Sequence, residues 1–262
     1  MAYEYEEFKK DILLLTKVDL NAYKEQQMKR RIVSLYTKHS FKGFQDYVAA
    51  LKKDKSLYEE FLNYFTINVS EFYRNPEQWK MMDADVIPQL ISRFGENLKV
   101  WSAACSTGDE PYSLVMALSR HIPLNKINIY ATDIDKQVIE KAKAGLYAPK
   151  SIASVPDDFK KKYFTDVGGA FQISDEIKSR VRFAEHNLIL NNYQKDFNFI
   201  VCRNVLIYFT EEAKENVFEK FYHSLKPGGV LFIGSTEQIT SYKEIGYLRK
   251  SSFYYERPMD NK

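Results

Sequence analysis

The sequence predicts an α/β protein in two parts. A small all-helical N-terminal domain spans residues 1–75, and a doubly wound parallel-sheet domain spans 76–262, with a small antiparallel β insertion at about 149–180. Three observations lead there. Apolar residues recur at helical spacing over roughly the first seventy positions. Strands alternate with helices from Lys99 onward, and turn signals break that alternation between Tyr147 and Arg182.

In the first part, Phe8, Ile12 and Leu15 share one helix face, and Met28, Ile32 and Leu35 share another. On the second segment Lys24, Gln27, Arg31, Ser34 and Lys38 form a stripe that is expected to lie opposite the apolar side. Phe41, Phe44, Tyr47, Val48 and Leu51 continue as a short amphipathic helix. The pattern changes near Arg74–Pro76, which sets the expected boundary.

In the second part, Lys99–Ala104 reads as a strand and Asp109–His121 as a helix, with Pro111 in the first turn, where a missing N–H costs nothing. Ile127–Thr132 is a strand ending in Asp133, and Asp135 caps a helix running to Ala144. Val181–Ala184 and Phe197–Cys202 are strands, and Glu211–Leu225 is a helix. The turn Lys226-Pro-Gly-Gly229 and the strand Val230–Gly234 follow, and a closing strand near Ser252–Glu256 runs antiparallel. Within the insertion, Lys162–Val167 and Ala170–Ile173 flank Gly168-Gly169 as a hairpin.

Composition narrows the functional classes. At 262 residues, 45% apolar and 28% charged, the chain is long enough for a real core and ordinary for a soluble protein. Met1–Lys10 is acidic and aromatic, unlike a signal peptide, and no apolar run reaches the roughly 18 residues of a membrane span. Two cysteines, Cys105 and Cys202, make no disulfide framework, so a reducing cytoplasm is expected. The four histidines are scattered, and no metal site is expected. A net charge of +3 is weak evidence for nucleic acid. Between Ala22 and Lys55, however, nine Lys or Arg face three acids. Such a local basic surface attracts an acidic partner, although a solvated helix face reads the same way from charge alone.

In open α/β sheets, ligands sit at the carboxyl ends of the strands, near the switch in strand order. After the first strand comes the small-residue turn Cys105-Ser-Thr-Gly-Asp-Glu-Pro111, with Gly108 allowing close backbone approach. Asp133 ends the second strand, where an acid accepts hydrogen bonds from ribose hydroxyls. Arg203 and Asn204 follow the fourth. The turn has one glycine, not the three of a dinucleotide fingerprint, and carries Asp109 and Glu110 where a phosphate would want cations. That composition weakens a nicotinamide oxidoreductase and suits the cationic, phosphate-free S-adenosylmethionine. Glu110 read alone is also compatible with a helix-dipole acid.

Five segments carry a family resemblance: Asn68-Val-Ser-Glu-Phe-Tyr-Arg74, Trp101-Ser-Ala-Ala-Cys-Ser-Thr-Gly-Asp-Glu-Pro-Tyr-Ser113, Ala131-Thr-Asp-Ile-Asp135, Cys202-Arg-Asn-Val-Leu-Ile-Tyr-Phe209 and Leu225-Lys-Pro-Gly-Gly-Val-Leu-Phe-Ile-Gly-Ser235. In this order they resemble the CheR family of chemotaxis receptor methyltransferases, over nearly the whole chain. Ala104 stands where many members have Gly, and Asp109 where Glu is usual. The resemblance implies a Rossmann-like S-adenosylmethionine methyltransferase domain behind the helical one. It also implies cofactor contacts from Asn68, Ser70, Arg74, Glu110, Asp133, Asn187, Leu188, Arg203 and Asn204. Glu110 would meet the methionine ammonium and Asp133 the ribose. Arg74 would meet the methionine carboxylate or the acceptor carboxylate, and Tyr208 would face the transferred methyl group, these two being the catalytic candidates. By themselves, Asn68 and Ser70 also read as local caps and Tyr208 as core.

The implied reaction is esterification of glutamate side chains on methyl-accepting chemotaxis receptors in chemotactic adaptation. Lys24, Lys29, Arg30, Arg31 and Lys38 form the expected docking face for the acidic cytoplasmic receptor helices. In some relatives the β insertion grips a receptor tail by strand addition. The expected enzyme is a cytoplasmic monomer with no nucleic-acid partner and no membrane insertion. Nucleic-acid amino-methyltransferases carry an Asn/Asp-Pro-Pro-aromatic run after the fourth strand, where this chain has Arg203-Asn-Val-Leu-Ile207. A non-catalytic S-adenosylmethionine sensor that docks a signalling partner is the remaining alternative.

Overall fold

The computed structural model describes residues 4–66, 70–234 and 237–260. The chain divides into two compact units. One comprises residues up to Asn68 together with Leu206–Val217, and the other comprises Val69–Val205 with Phe218–Lys262. The division thus falls ahead of the expected 75/76 boundary, and the 206–217 stretch, expected in the second domain, lies in the first unit.

The first unit contains α1 (Tyr5–Thr16), α2 (Glu25–Lys38), α3 (Phe44–Leu51) and α4 (Lys55–Thr66). Each turns one apolar stripe inward. Phe8 and Ile12, then Met28, Ile32 and Leu35, then Tyr47, Val48 and Leu51, then Leu57, Phe61 and Phe65 are buried. Burying each such side chain contributes about 1.5–3 kcal/mol. Phe41, expected in the third helix, precedes it, because Gly43 occupies the N-cap in extended conformation. Asp54 accepts the N–H groups of Ser56 (2.8 Å) and Leu57 (3.1 Å) and so starts α4. The 206–217 stretch is tied to the segment before α2 by backbone pairing. The Lys24 N–H donates to the Tyr208 carbonyl at 3.0 Å and the Thr210 N–H to the Ala22 carbonyl at 2.9 Å. Tyr23 and Phe209 form an isolated antiparallel bridge, their rings edge to face at 4.7 Å.

The second unit opens with α5 (Pro76–Met81), which passes through a π turn (Met82–Val86) into α6 (Ile87–Phe94). Pro88 explains the widening: it lacks an N–H and crowds the preceding turn, and Ile87 bonds back to the Met82 carbonyl. There follow β1 (Val100–Ala103), α7 (Asp109–Leu118), β2 (Ile129–Asp133), α8 (Lys136–Ala144), β3 (Leu146–Tyr147), α9 (Asp157–Tyr163), β4 (Phe164–Asp166), β5 (Phe171–Ile173) and α10 (Asp175–Lys178). The unit closes with β6 (Val181–Glu185), β7 (Phe197–Cys202), α11 (Glu211–Ser224), β8 (Leu225–Ile233), α12 (Tyr242–Ile245), β9 (Leu248–Arg249) and β10 (Tyr254–Glu256); the first part of α11 belongs to the other unit.

The main sheet has seven strands in the order β6-β2-β1-β7-β8-β10-β9. Pairings from β6 through β8 are parallel, and β10 runs antiparallel to β8, as the closing strand was expected to. The strand order reverses between β1 and β7, so their carboxyl ends open the crevice where such sheets bind ligands. All six residues of β7 are buried, as a central parallel strand requires.

Two sequence expectations change. The Lys226–Gly229 turn is an irregularity inside β8, since Leu225 pairs with Phe197 and Val230 with Phe199. In the insertion, Lys162 and Tyr163 end α9, and the β4–β5 hairpin gains β3 as a third antiparallel strand. Among the described residues, no helix is long and apolar enough to cross a membrane.

Candidate functional site

The turn from β1 into α7 is held in a conformation that most side chains resist. Ala104, Ser106 and Gly108 have φ values of 63°, 48° and 89°. Outward, Tyr73 (52°), Asn75 (59°) and Asn204 (60°) are also left-handed, so strain gathers around this end of the sheet. A Cβ on Gly108 would lie 2.8 Å from the Ala142 Cβ, so this position needs glycine for space as well as for φ. Tyr147 donates its hydroxyl to the Thr107 carbonyl at 2.8 Å and braces the turn from behind.

Asp133 closes the turn from β2. Its carboxylate accepts the Ser106 N–H (2.8 Å) and the Asp135 N–H (3.0 Å). Burial pushes Asp133 up to about 6 although these N–H groups oppose the shift. Glu110, in the first turn of α7, accepts the Ser102 hydroxyl at 2.8 Å and lies 3.8 Å from Arg203 Nη1. Burial pushes it up to about 7; Arg203, Ser102 and Arg74 pull it down, and Glu237 adds to the rise. Two buried carboxylates, each held above its ordinary range chiefly by loss of water, face this end of the sheet. Among the described residues the Ser106 hydroxyl is buried there with no hydrogen-bond partner. Such a site fits a cationic nucleoside ligand, which supplies an ammonium and hydroxyl groups to buried acceptors.

Arg203 is buried and bonded mainly to neutral groups. Its Nη2 donates to the Arg74 carbonyl (2.7 Å), Gln78 Oε1 (2.8 Å) and Asn75 Oδ1 (3.1 Å), and the guanidinium lies 4.8 Å over the Phe232 ring. The Arg74 carbonyl also receives the Trp79 indole N–H at 3.0 Å. One guanidinium thus pins the turn that carries Arg74. Ser70 bonds Asp109, whose carboxylate also takes the Thr107 hydroxyl at 2.6 Å. Asp109 is therefore spent on joining the segment before α5 to the turn.

Asn187 and Leu188 follow β6. Asn187 Oδ1 accepts the N–H groups of Ile189 (2.9 Å) and Leu190 (3.2 Å), and the Leu188 carbonyl accepts the Tyr193 hydroxyl at 2.7 Å. The His186 N–H donates to the Asp133 carbonyl at 2.8 Å, which ties this loop to the β2 end. Asn204 donates its N–H to Glu237 at 2.7 Å. The second unit thus brings together Ser70, Arg74, Glu110, Asp133, Asn187, Leu188, Arg203 and Asn204 on the segments at the carboxyl ends of β1, β2, β6 and β7 and before α5. Asn68 lies outside the described residues. Tyr208 belongs to the first unit, half-buried in a short turn.

Sequence reasoning missed Glu237 and Gln78. Both are polar side chains buried below five per cent exposure, and nothing in their local pattern announces that. Cys105 and Cys202 are buried and free, and burial holds both thiols well above the ordinary range, so neither is a ready nucleophile.

The basic stripe on α2 needs correction. It flanks the apolar face and does not lie opposite it, and Lys24, Arg31 and Lys38 engage groups within their own unit. Arg31 is half-buried, donates to the Tyr64 carbonyl and covers the Tyr64 ring at 4.5 Å. Lys38 pairs with Glu60 at 2.8 Å, and Lys24 donates to the Ile207 carbonyl at 2.9 Å. Lys29 is exposed beside the Tyr5 ring, and Arg30 is exposed.

Residues 68–254 match the family profile described as CheR methyltransferase, SAM binding domain, and residues 3–66 match CheR methyltransferase, all-alpha domain. The chain is 40% identical over 256 residues to a chemotaxis protein methyltransferase of Listeria innocua, covering 95% of this chain and 98% of that one. It is 35% identical over 237 residues to chemotaxis protein methyltransferase 2 of Vibrio cholerae, covering 86% and 81%. With both domains matched and close relatives aligned over nearly the whole chain, the chain belongs to the CheR methyltransferase family and is an S-adenosylmethionine-dependent methyltransferase.

Proposed function

We propose that the chain transfers methyl groups to glutamate side-chain carboxylates of methyl-accepting chemotaxis receptors, giving glutamyl methyl esters and S-adenosylhomocysteine. The observation that carries this reading is Glu110, a buried carboxylate at the cofactor end of the sheet with Arg203 and Arg74 nearby, in a chain alike over nearly its full length to a protein named for chemotaxis methylation.

Bound S-adenosylmethionine supplies a sulfonium-activated methyl group. A glutamate acceptor, with a pKa near 4.3 in water, arrives as an anion, so the protein need supply no base. Its tasks are to hold, orient and keep dry. Glu110 takes the ammonium and Asp133 the ribose hydroxyls; Asn68, Ser70, Asn187, Leu188, Arg203 and Asn204 complete the cofactor contacts. Arg74 offers a fork to a carboxylate. Tyr208 fixes the approach of the acceptor. Opposite charges vanish as the ester forms, so a water-poor site favours the reaction, and oriented encounter supplies roughly 7–11 kcal/mol.

The helical domain, nominally residues 1–75, docks the acidic receptor helices chiefly through the exposed Lys29 and Arg30, with Lys24, Arg31 and Lys38, which bond within the unit, adding to the basic field of that face. The enzyme acts in the cytoplasm as a monomer. The test is incubation with radiolabelled S-adenosylmethionine and receptor-containing membranes, followed by mild alkali. Label on receptor released as methanol supports glutamyl esterification. Binding without transfer indicates a cofactor sensor, and alkali-stable label indicates another acceptor.

A further inference from the structure

Glu237 follows the end of β8 and is 4% exposed. Among the described residues its carboxylate takes three backbone N–H groups from two adjacent strand ends. Oε2 accepts from Gly234 at 2.8 Å and from Asn204 at 2.7 Å, and Oε1 accepts from Val205 at 3.0 Å. These donors stand where β7 and β8, paired up to Cys202 and Ile233, leave the sheet and lose their ladder partners. A water molecule or a neutral side chain serves one or two such donors. A buried carboxylate serves all three with charge-assisted bonds.

The bonds fall on the turn that matters for the site. Asn204 is left-handed at φ 60°, and Arg203 immediately before it pins the Arg74 carbonyl. Space for the carboxylate is left by Gly234, where a Cβ would sit 2.5 Å from Glu237 Oε2. The negative charge of Glu237 is also felt in the site: it adds to the rise in Glu110 and favours the charged form of Arg203.

We propose that Glu237 is a positioning residue for methyl transfer, its buried carboxylate setting the Arg203–Asn204–Val205 turn in the conformation that meets the cofactor. This rests on the reading of Arg203 and Asn204 as cofactor contacts. A purely structural glutamate would stabilise the fold without coupling to ligand affinity. A positioning glutamate alters affinity in step with Asn204.

The test measures S-adenosylmethionine affinity of the full chain by calorimetry for wild type, Glu237→Gln, Gly234→Ala, Asn204→Ala and the Glu237→Gln/Asn204→Ala double variant. Glu237→Gln is expected to bind roughly tenfold more weakly, because one amide oxygen cannot serve three donors. Gly234→Ala, which displaces the carboxylate without removing its charge, should lose affinity to a similar extent. The double variant should lose less than the product of its single losses. Glu237→Gln alone should also move the pH at which affinity falls to lower values, since Arg203, Arg74 and Ser102 then act on Glu110 without the opposing charge of Glu237. If Glu237→Gln does not fold, Gly234→Ala decides by itself. Wild-type affinity in the Glu237 and Gly234 variants, or losses that multiply without coupling, overturns the proposal. If Asn204→Ala binds normally, the reading of the site fails first and the proposal with it.

Discussion

Replacing Glu110 with Gln should stabilise the ligand-free protein and weaken cofactor binding. The carboxyl is raised from 4.5 to about 7, and burial is the leading cause. That displacement corresponds to roughly 3 kcal/mol of disfavoured charge once the group is ionised. The sign follows from proton binding. The folded chain holds this proton more tightly than the unfolded chain, so relative to a neutral side chain the group costs nothing below pH 4.5, becomes an increasing penalty as pH rises from 4.5 to 7, and is a full, constant penalty above 7. Gln mimics the neutral acid and can still accept from Ser102. Arg203 at 3.8 Å loses a weak partner but keeps Gln78, Asn75 and the Arg74 carbonyl. Allowing for that loss, Glu110→Gln should gain about 2 kcal/mol at pH 8, or a melting rise of roughly 4–8 °C. The gain should disappear near pH 5. Saturating S-adenosylmethionine should reverse the order, because its ammonium pairs with the wild-type carboxylate and stabilises only the state that binds it. Thermal melts at both pH values, with and without ligand, check this. A lower melting point for ligand-free Glu110→Gln at pH 8, or equal stabilisation of both proteins by ligand, refutes the argument.

Four further outcomes are expected. Arg30→Glu should raise the Michaelis constant for receptor severalfold with unchanged melting, and that effect should shrink with added salt; Arg31→Ala, which strips a bond from the Tyr64 carbonyl, should instead lower stability by about 1–2 kcal/mol in denaturant titrations. Ala104→Gly should stabilise by about 1 kcal/mol, since Ala104 is held at φ 63° where glycine is unstrained; calorimetry showing destabilisation contradicts it. Tyr208→Phe should cut turnover by roughly ten- to a hundredfold while cofactor affinity stays within about twofold of wild type, as expected of a group that only orients the acceptor. Equal turnover removes Tyr208 from the mechanism.

Much of the site was legible because its chemistry follows chain direction. A strand that ends in Asp133, and a turn with one glycine and two acids opening a helix, place those groups at the carboxyl edge of any parallel sheet they enter. The choice of a cationic nucleoside over a dinucleotide was likewise local, since it rested on Asp109 and Glu110 standing where a phosphate needs cations. Element types followed from periodicity, and Asp135 capped its helix as its side chain demands, by accepting the Gln137 N–H.

What the sequence by itself determined, then, was which elements form, which ligand class the strand ends suit and which family the motifs resemble. Only the tertiary structure decided who meets whom across long separations. Asp109 went to Ser70 and Thr107, Arg203 to Gln78 and the Arg74 carbonyl, and Glu237 to the ends of two strands. It also decided that Arg31 and Lys38 serve α4, that residues 206–217 pair with the segment before α2, and that Lys226–Gly229 folds into β8. The reason is physical. Periodicity tells which face of an element is apolar, whereas the partner of a buried polar group is set by the shortage of water around it, and that shortage exists only once the core has closed.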